Sequence, residues 1–227
     1  WAGFSLSGPK SKEVISRITD FPVDELKFMG CANMDIGLIK AKVGRISVTG
    51  ELGYEINCRI GDHIGLRRLL LEAGAECGIR EFGFNALLSL RLEKGFGIWS
   101  AEFTQGYTPG MTGMDRWIDW EKDQFIGQSA ALKERDGNGP SQKLVMLEVE
   151  ASDADASGYE PVWNNDNLVG FVTSGGYGHT VNKSLAMALI NSDLAKEDQN
   201  LKVHVVGVEK DAKVIQMSPY DPEGSVM

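Results

Sequence analysis

The sequence is poor in the residues that disulfide frameworks and metal sites require. It has three cysteines, Cys31, Cys58 and Cys77, and no two of them form a CxxC pair. This spacing excludes a disulfide scaffold and a cysteine zinc site. The three histidines are scattered along the chain in the same way. We therefore expect no metal site, and the low cysteine content is typical of a reducing compartment.

Positive charge and long apolar runs are also scarce. Lys and Arg total 23 against 32 Asp and Glu, which gives a formal net charge of -9. Nonspecific binding of nucleic acid needs a basic face, so this composition predicts no nucleic-acid partner. No segment reaches the roughly 20 apolar residues of a membrane span, and no secretory signal opens the chain. The predicted location is the cytoplasm, or the mitochondrial matrix in a eukaryote, without a membrane partner.

Several common catalytic motifs are missing. The chain has no GxxxxGK[ST] phosphate loop, no GxGxxG after a strand, no HExxH and no GxSxG elbow. It begins at Trp1 rather than at methionine, directly before a helix start. We therefore expect a fragment or a processed chain that lacks an N-terminal part.

The N-terminal half mixes helical and extended patterns. Apolar spacing predicts helices near residues 9–19 and 64–73 and through FGFNALLSLRLEKG. Residues 31–49 look extended, and the strict alternation in YEINCRI predicts a second strand after a hairpin-like turn at Gly50 to Gly53. Weak patterns over 95–127 predict a mostly irregular segment that wraps over other parts of the protein.

The pattern changes at GNGPS, residues 137–141, which is the strongest boundary in the chain. Beyond it, short segments rich in Val, Leu and Ile alternate with turn residues, which predicts a small antiparallel β-barrel or sandwich. We predict an α+β protein with an α/β domain over residues 1–136 and a β-barrel domain over residues 141–227.

Two charged residues stand out. Glu55 lies on the polar face of the predicted strand, where a carboxylate is usually solvated. Arg91 lies in a helix that is apolar nearly all round, and a buried guanidinium needs an anion or a strong acceptor. The alternative for Arg91 is a side chain that extends its charged end to solvent. A ligand with donors and acceptors along one edge, such as an aminopyrimidine ring, could satisfy both residues.

Four stretches, SVTGELGYEI, FGFNALLSLRLEKGFGIWS, FIGQSAAL and VGFVTSGGYGHTVNKSLAMALI, resemble the tetrahydrofolate-binding region of dimethylglycine and sarcosine dehydrogenases. That region is itself similar to the glycine cleavage T-protein, an aminomethyltransferase. The resemblance covers nearly all of the chain in order. It implies a truncated T-protein-like folate-binding domain over residues 1–136, followed by the barrel.

The resemblance also implies site residues. In this family the glutamate at the position of Glu55 bonds to the aminopyrimidine edge of the pterin, and the arginine at the position of Arg91 contributes on the folate side. Tyr54, Trp99 and Tyr177 are the other implied folate-binding residues. The family's catalytic aspartate belongs to a segment N-terminal to the part that this chain resembles, so no catalytic residue is assigned. The dehydrogenases carry FAD in a flavin domain that is also missing here.

Three functions follow from the resemblance. The first is the one-carbon transfer portion of a dimethylglycine or sarcosine dehydrogenase. This portion forms 5,10-methylenetetrahydrofolate from an imine intermediate, and the same parent protein has an N-terminal flavin domain. The second is a T-protein-like aminomethyltransferase that acts on a lipoyl carrier protein. The third is a non-catalytic folate-binding module.

Overall fold

The chain divides into two compact units. The computed structural model describes all 227 residues. The first unit consists of Trp1–Leu87 and Glu223–Met227, and the second consists of Leu88–Pro222. The predicted boundary at residues 137–141 lies inside the second unit, and the assignment of residues 1–136 and 141–227 to two domains stays a prediction. None of the five α-helices has the length and apolarity that a membrane crossing requires.

The first unit is a four-stranded antiparallel sheet, in the order β1-β4-β3-β2, covered on one face by helices. Its elements are β1 (Ala2–Ser7), α1 (Ser11–Ser16), β2 (Cys31–Ile36), β3 (Ile39–Gly44), β4 (Gly53–Cys58) and α2 (His63–Gly74). Tyr54, Ile56 and Cys58 of β4 lie in one apolar core with residues of α1 and α2. The alternation predicted for YEINCRI is therefore confirmed, because every second side chain of a strand points to the same face.

The strand predicted to extend to residue 49 is wrong in its second part. Strand β3 ends at Gly44, and residues 45–52 form an irregular connection to β4. The side chains of Ser47 and Thr49 accept hydrogen bonds from the backbone N–H groups of Gly50 and Glu51. Such local bonds compete with the ladder of a sheet, which explains why a Val-containing stretch is not a strand.

The second unit is built around a closed six-stranded antiparallel barrel, in the order β10-β5-β8-β7-β6-β9. Its strands are β5 (Gln142–Val149), β6 (Pro161–Asn164), β7 (Asn167–Gly178), β8 (Lys183–Asn191), β9 (Asn200–Val205) and β10 (Val208–Ile215). The predicted barrel is confirmed. Strand β6 was not expected from the sequence, because PVWN is short and is followed by turn residues.

Three helices belong to the chain between the sheet and the barrel strands: α3 (Phe84–Glu93), α4 (Pro109–Thr112) and α5 (Gln128–Asp136). The sequence predicts that α3 is buried on nearly all sides, and this prediction is wrong for the first half of the helix. Phe84 is 69% exposed, and only Arg91, Leu92 and Glu93 at the end of the helix are buried.

One wall of the barrel is buried on both faces. The inner face of β8 contributes Ala186 and Ala188 to the interior, and its outer face contributes Leu185 and Met187 to a separate cluster. Leu92 of α3, with Tyr107 and Met111 of the irregular segment, packs on that outer face. A strand covered on both sides loses its apolar and polar alternation, as SLAMALI does. Residues 88–136 therefore form one compact unit with the barrel.

We expect Gly95→Ala to lower the free energy of unfolding of the second unit by about 2 to 5 kcal/mol. Gly95 has a φ of 71°, and a Cβ atom there would lie 2.0 Å from the carbonyl oxygen of Met217. The left-handed backbone costs an alanine roughly 1–2 kcal/mol, and overpacking adds about 1–3 kcal/mol. Gly207 is the matched control, because its φ is 79° but no atom lies within 4 Å of its Cβ position.

Gly207→Ala should therefore cost only about 1–2 kcal/mol. The measurement is chemical denaturation followed by tryptophan fluorescence, since Trp1 is the only tryptophan outside the second unit. Equal losses in the two variants would contradict the close approach to Met217.

Candidate functional site

Glu55 occupies the middle of β4 on the face of the sheet that points away from the apolar core. Its neighbours across the sheet are Ser5 of β1 and Gly44 of β3. These small residues leave space around the carboxylate, which makes no hydrogen bond and no ion pair. Glu55 is partly exposed. The site thus presents an acceptor-only group without a partner on an open face.

The start of β4 is held by backbone bonds within the first unit. The carbonyl of Leu52 accepts hydrogen bonds from the N–H of Gly8 at 2.8 Å and from the hydroxyl of Ser11 at 3.0 Å. The N–H of Leu52 donates to the carbonyl of Val226 at 2.8 Å. The connection before β4 is therefore tied to β1, to α1 and to the C-terminal segment, and this fixes the direction in which Glu55 points.

Tyr54 lies next to Glu55 but points to the opposite face of the sheet. It is 1% exposed in the apolar core, and burial raises the pKa of its hydroxyl, opposed by the positive charge of Arg45. The structure thus separates the side chains of Tyr54 and Glu55 by the thickness of the sheet. A ligand on the open face would meet Glu55 but not the side chain of Tyr54.

Arg91 is buried in the second unit and is paired with a residue of the same chain. Its Nη1 atom donates to the carbonyl of Phe96 at 3.2 Å and to Oε2 of Glu102 at 3.4 Å. Burial lowers the pKa of the guanidinium, and the charge of Glu102 opposes this shift. With 5% of its side chain exposed, Arg91 does not extend its charge to solvent. The required anion exists, and it is Glu102, while the Nε atom of Arg91 is buried without a hydrogen-bond partner.

Glu102 accepts four hydrogen bonds inside the second unit and is fully buried. Arg91 and the N–H of Ile98, at 2.9 Å, donate to Oε2. The hydroxyls of Thr173, at 2.7 Å, and of Ser174 donate to Oε1. Sequence reasoning missed this residue. Glu102 lies in an irregular segment three residues after the exposed Trp99, and no local pattern indicates its burial.

The other charged residues of the RLEKG stretch are also bonded within the second unit. The carboxylate of Glu93 accepts the N–H of Val181 at 3.0 Å and the hydroxyl of Thr180 at 2.9 Å, at the turn between β7 and β8. Lys94 forms a buried ion pair with Asp221 at 2.9 Å. RLEKG therefore links α3 to the barrel and to the segment that follows it.

Trp99 and Tyr177 have exposed rings in the second unit. Trp99 is 82% exposed and contacts Phe103 edge to face, with ring centres 6.4 Å apart. Tyr177 lines an open cleft of about 670 Å³ together with Asp155 and Ser184. Its carbonyl accepts the hydroxyl of Ser89 at 2.6 Å.

The five residues expected at the folate divide between the units. Tyr54 and Glu55 belong to the first unit, and Arg91, Trp99 and Tyr177 belong to the second. No group of three or more His, Cys, Asp and Glu side chains is arranged to hold a metal ion.

We expect Arg91→Met to destabilise the second unit by about 3–5 kcal/mol, because it leaves the carboxylate of Glu102 buried without its counter-charge. The double variant Arg91→Met, Glu102→Leu should lose less than the sum of the two single variants, since the bond between the two charges is then lost only once. Denaturation of the two single variants and the double variant gives the coupling energy between the residues. Strictly additive losses would show that the two side chains are not coupled.

Comparison with known proteins identifies the family. Residues 1–122 match the GCVT N-terminal domain, and residues 142–221 match the glycine cleavage T-protein C-terminal barrel domain. The mitochondrial dimethylglycine dehydrogenase of Homo sapiens is 35% identical over 214 residues, which are 93% of this chain and 25% of that protein. The aminomethyltransferase of Geobacillus sp. (strain WCH70) is 32% identical over 216 residues, which are 94% of this chain and 59% of that protein.

A solved structure shares the fold. The glycine cleavage system aminomethyltransferase T from Bartonella henselae superimposes with a TM-score of 0.85 at 26% identity, over 97% of this chain and 60% of that chain. This chain thus spans less than two thirds of the length of each of these three proteins. The resemblance stated from the sequence is confirmed, and since the first domain match covers more than half of the residues, the chain belongs to the glycine cleavage T-protein family.

Proposed function

We propose that this chain is the tetrahydrofolate-binding, one-carbon transfer portion of a dimethylglycine or sarcosine dehydrogenase-like enzyme. The observation that carries the proposal is the carboxylate of Glu55, which has no partner and lies among small residues on an open sheet face. Membership of the T-protein family and the likeness to the human dehydrogenase support it. The aminomethyltransferase at 32% identity makes a T-protein-like activity the second candidate.

The residues at Glu55 fit the aminopyrimidine edge of a pterin. That edge carries adjacent N–H donors, and an ionised carboxylate can accept two of them side by side in a charge-assisted pair. Ser5 and Gly44, on either side of Glu55, leave room for a flat ring to approach the sheet. Glu55 would thereby bind and orient the ring.

The other four residues take two kinds of role in this proposal. Trp99 and Tyr177 stay proposed folate-binding residues of the second unit, because their aromatic rings are exposed. Tyr54 and Arg91 are buried, each within its own unit, where Tyr54 of β4 packs in the apolar core and Arg91 pairs with Glu102. Bound tetrahydrofolate supplies the nitrogens that accept the one-carbon unit. The chain's own contribution is to hold the ring in one orientation and to exclude water.

The parent protein is proposed to contain further domains. The chain spans 25% of the human dehydrogenase, which leaves room there for a flavin domain with FAD. A flavin domain encoded upstream of Trp1 would favour the dehydrogenase proposal over the aminomethyltransferase one. The mitochondrial relative supports a matrix location for a eukaryotic parent.

We expect Glu55→Gln to weaken tetrahydrofolate binding by about one to two decades. Glutamine retains the shape of the side chain but replaces one acceptor oxygen with a donor, and hydrogen bonds to charged groups contribute roughly 1.5–3 kcal/mol. Isothermal titration calorimetry of the parent protein, with the N-terminal segment present, measures the change.

Glu72→Gln is the matched control, because Glu72 is an exposed glutamate of α2 in the same unit. It removes the same charge and should leave the dissociation constant unchanged. If Glu55→Gln binds tetrahydrofolate as tightly as Glu72→Gln does, with both proteins folded, Glu55 is not the pterin ligand.

A further inference from the structure

The barrel contains a bulge at which two consecutive hydroxyls meet one carboxylate oxygen. In β7, Val172 pairs with Ala188 but Ser174 pairs with Met187, so Thr173 is an extra residue in the ladder. Consecutive side chains of a regular strand point to opposite faces. Thr173 and Ser174 nevertheless both donate to Oε1 of Glu102. Only the bulge allows this, and Glu102 in turn holds the bulge together.

The bulge determines on which face Tyr177 lies. Before the bulge, Val172 shares the barrel interior with Ala188. After it, Ser174 pairs with Met187, which belongs to the outer cluster, and Tyr177 pairs with Ser184. One extra residue reverses the alternation of every later residue in the strand. Without the bulge, Tyr177 would point to the face opposite the one that it shares with Ser184.

The same carboxylate also fixes the turn that carries Trp99. Oε2 of Glu102 accepts the N–H of Ile98, and the carbonyl of Ile98 accepts the N–H groups of Ala101 and Glu102. Trp99 lies inside this turn. One buried side chain is therefore bonded to the backbone beside Trp99 and to the strand that presents Tyr177.

We infer that Glu102 is a positioning residue for two exposed aromatic side chains of the barrel unit, acting through the bulge on Tyr177 and through the turn on Trp99. The inference rests on the proposed function in that these two side chains are taken to bind tetrahydrofolate. All four groups around the Glu102 carboxylate are donors. A carboxylate satisfies four donors, whereas the amide of glutamine would place its own N–H groups against some of them.

The test uses Glu102→Gln and the milder Ser174→Ala, which removes one hydroxyl that bonds to Glu102, whereas the hydroxyl of Thr173 also bonds to the carbonyl of Met187 at 3.1 Å. The protein is labelled with 3-fluorotyrosine, and the resonance of Tyr177 is assigned among the five tyrosines with Tyr177→Phe. We expect both variants to shift or broaden this resonance and to weaken tetrahydrofolate binding about tenfold or more in calorimetry, because small displacements of a binding group have large effects. If Glu102→Gln does not fold, Ser174→Ala decides.

Lys94→Met is the control, since it also breaks a buried ion pair of the second unit but does not touch β7. It should lower stability and leave the Tyr177 resonance and the tetrahydrofolate affinity unchanged. An unmoved resonance in the test variants, or a moved resonance with unchanged affinity, would overturn the inference. If the wild-type protein does not bind tetrahydrofolate, the proposed function is refuted. The fluorine spectra would still decide whether Glu102 positions Tyr177.

Discussion

A carboxylate that is removed from water must have its acceptor sites filled, because the effective penalty of burying an ion is several kcal/mol. Glu102 meets this constraint with donors from three separate parts of the second unit: Arg91 at the end of α3, Ile98 in the irregular segment, and Thr173 and Ser174 in β7. None of these parts can shift without leaving a donor or the carboxylate unpaired. The irregular segment is thereby fixed to the barrel although it has little secondary structure of its own.

The two carboxylates that matter most have opposite environments. Glu102 is fully buried and saturated with donors, so it is not available to a ligand. Glu55 lies on a sheet face between Ser5 and Gly44 and has no partner. A free acceptor at the surface loses little free energy on desolvation if a ligand supplies matching donors. An acceptor whose sites are already filled offers no hydrogen bond to a ligand. The acid that maintains the fold is therefore a different residue from the acid that is proposed to recognise a ligand.

Local patterns predicted those parts of the protein whose burial follows from neighbouring residues. The alternation in YEINCRI was sufficient for β4, and the spacing of Val, Leu and Ile was sufficient for most of the barrel. The need of Arg91 for an acceptor was also evident from its apolar helix. Glu102 could not be identified as that acceptor, because its burial in an irregular segment depends on distant residues such as Thr173, which is 71 residues away in sequence. The bulge at Thr173 was equally invisible, since it depends on the pairing with β8.

This long-range bonding changes what the family resemblance means. RLEKG and VTSGG are among the most specific parts of the resemblance, and the structure joins them through Glu102, with Arg91 on one side and Thr173 on the other. Motifs that bond to each other are required together by the fold, whatever ligand the protein binds. Their presence therefore argues for a shared architecture. A ligand is recognised by groups that the fold leaves unsatisfied, and the carboxylate of Glu55 is such a group.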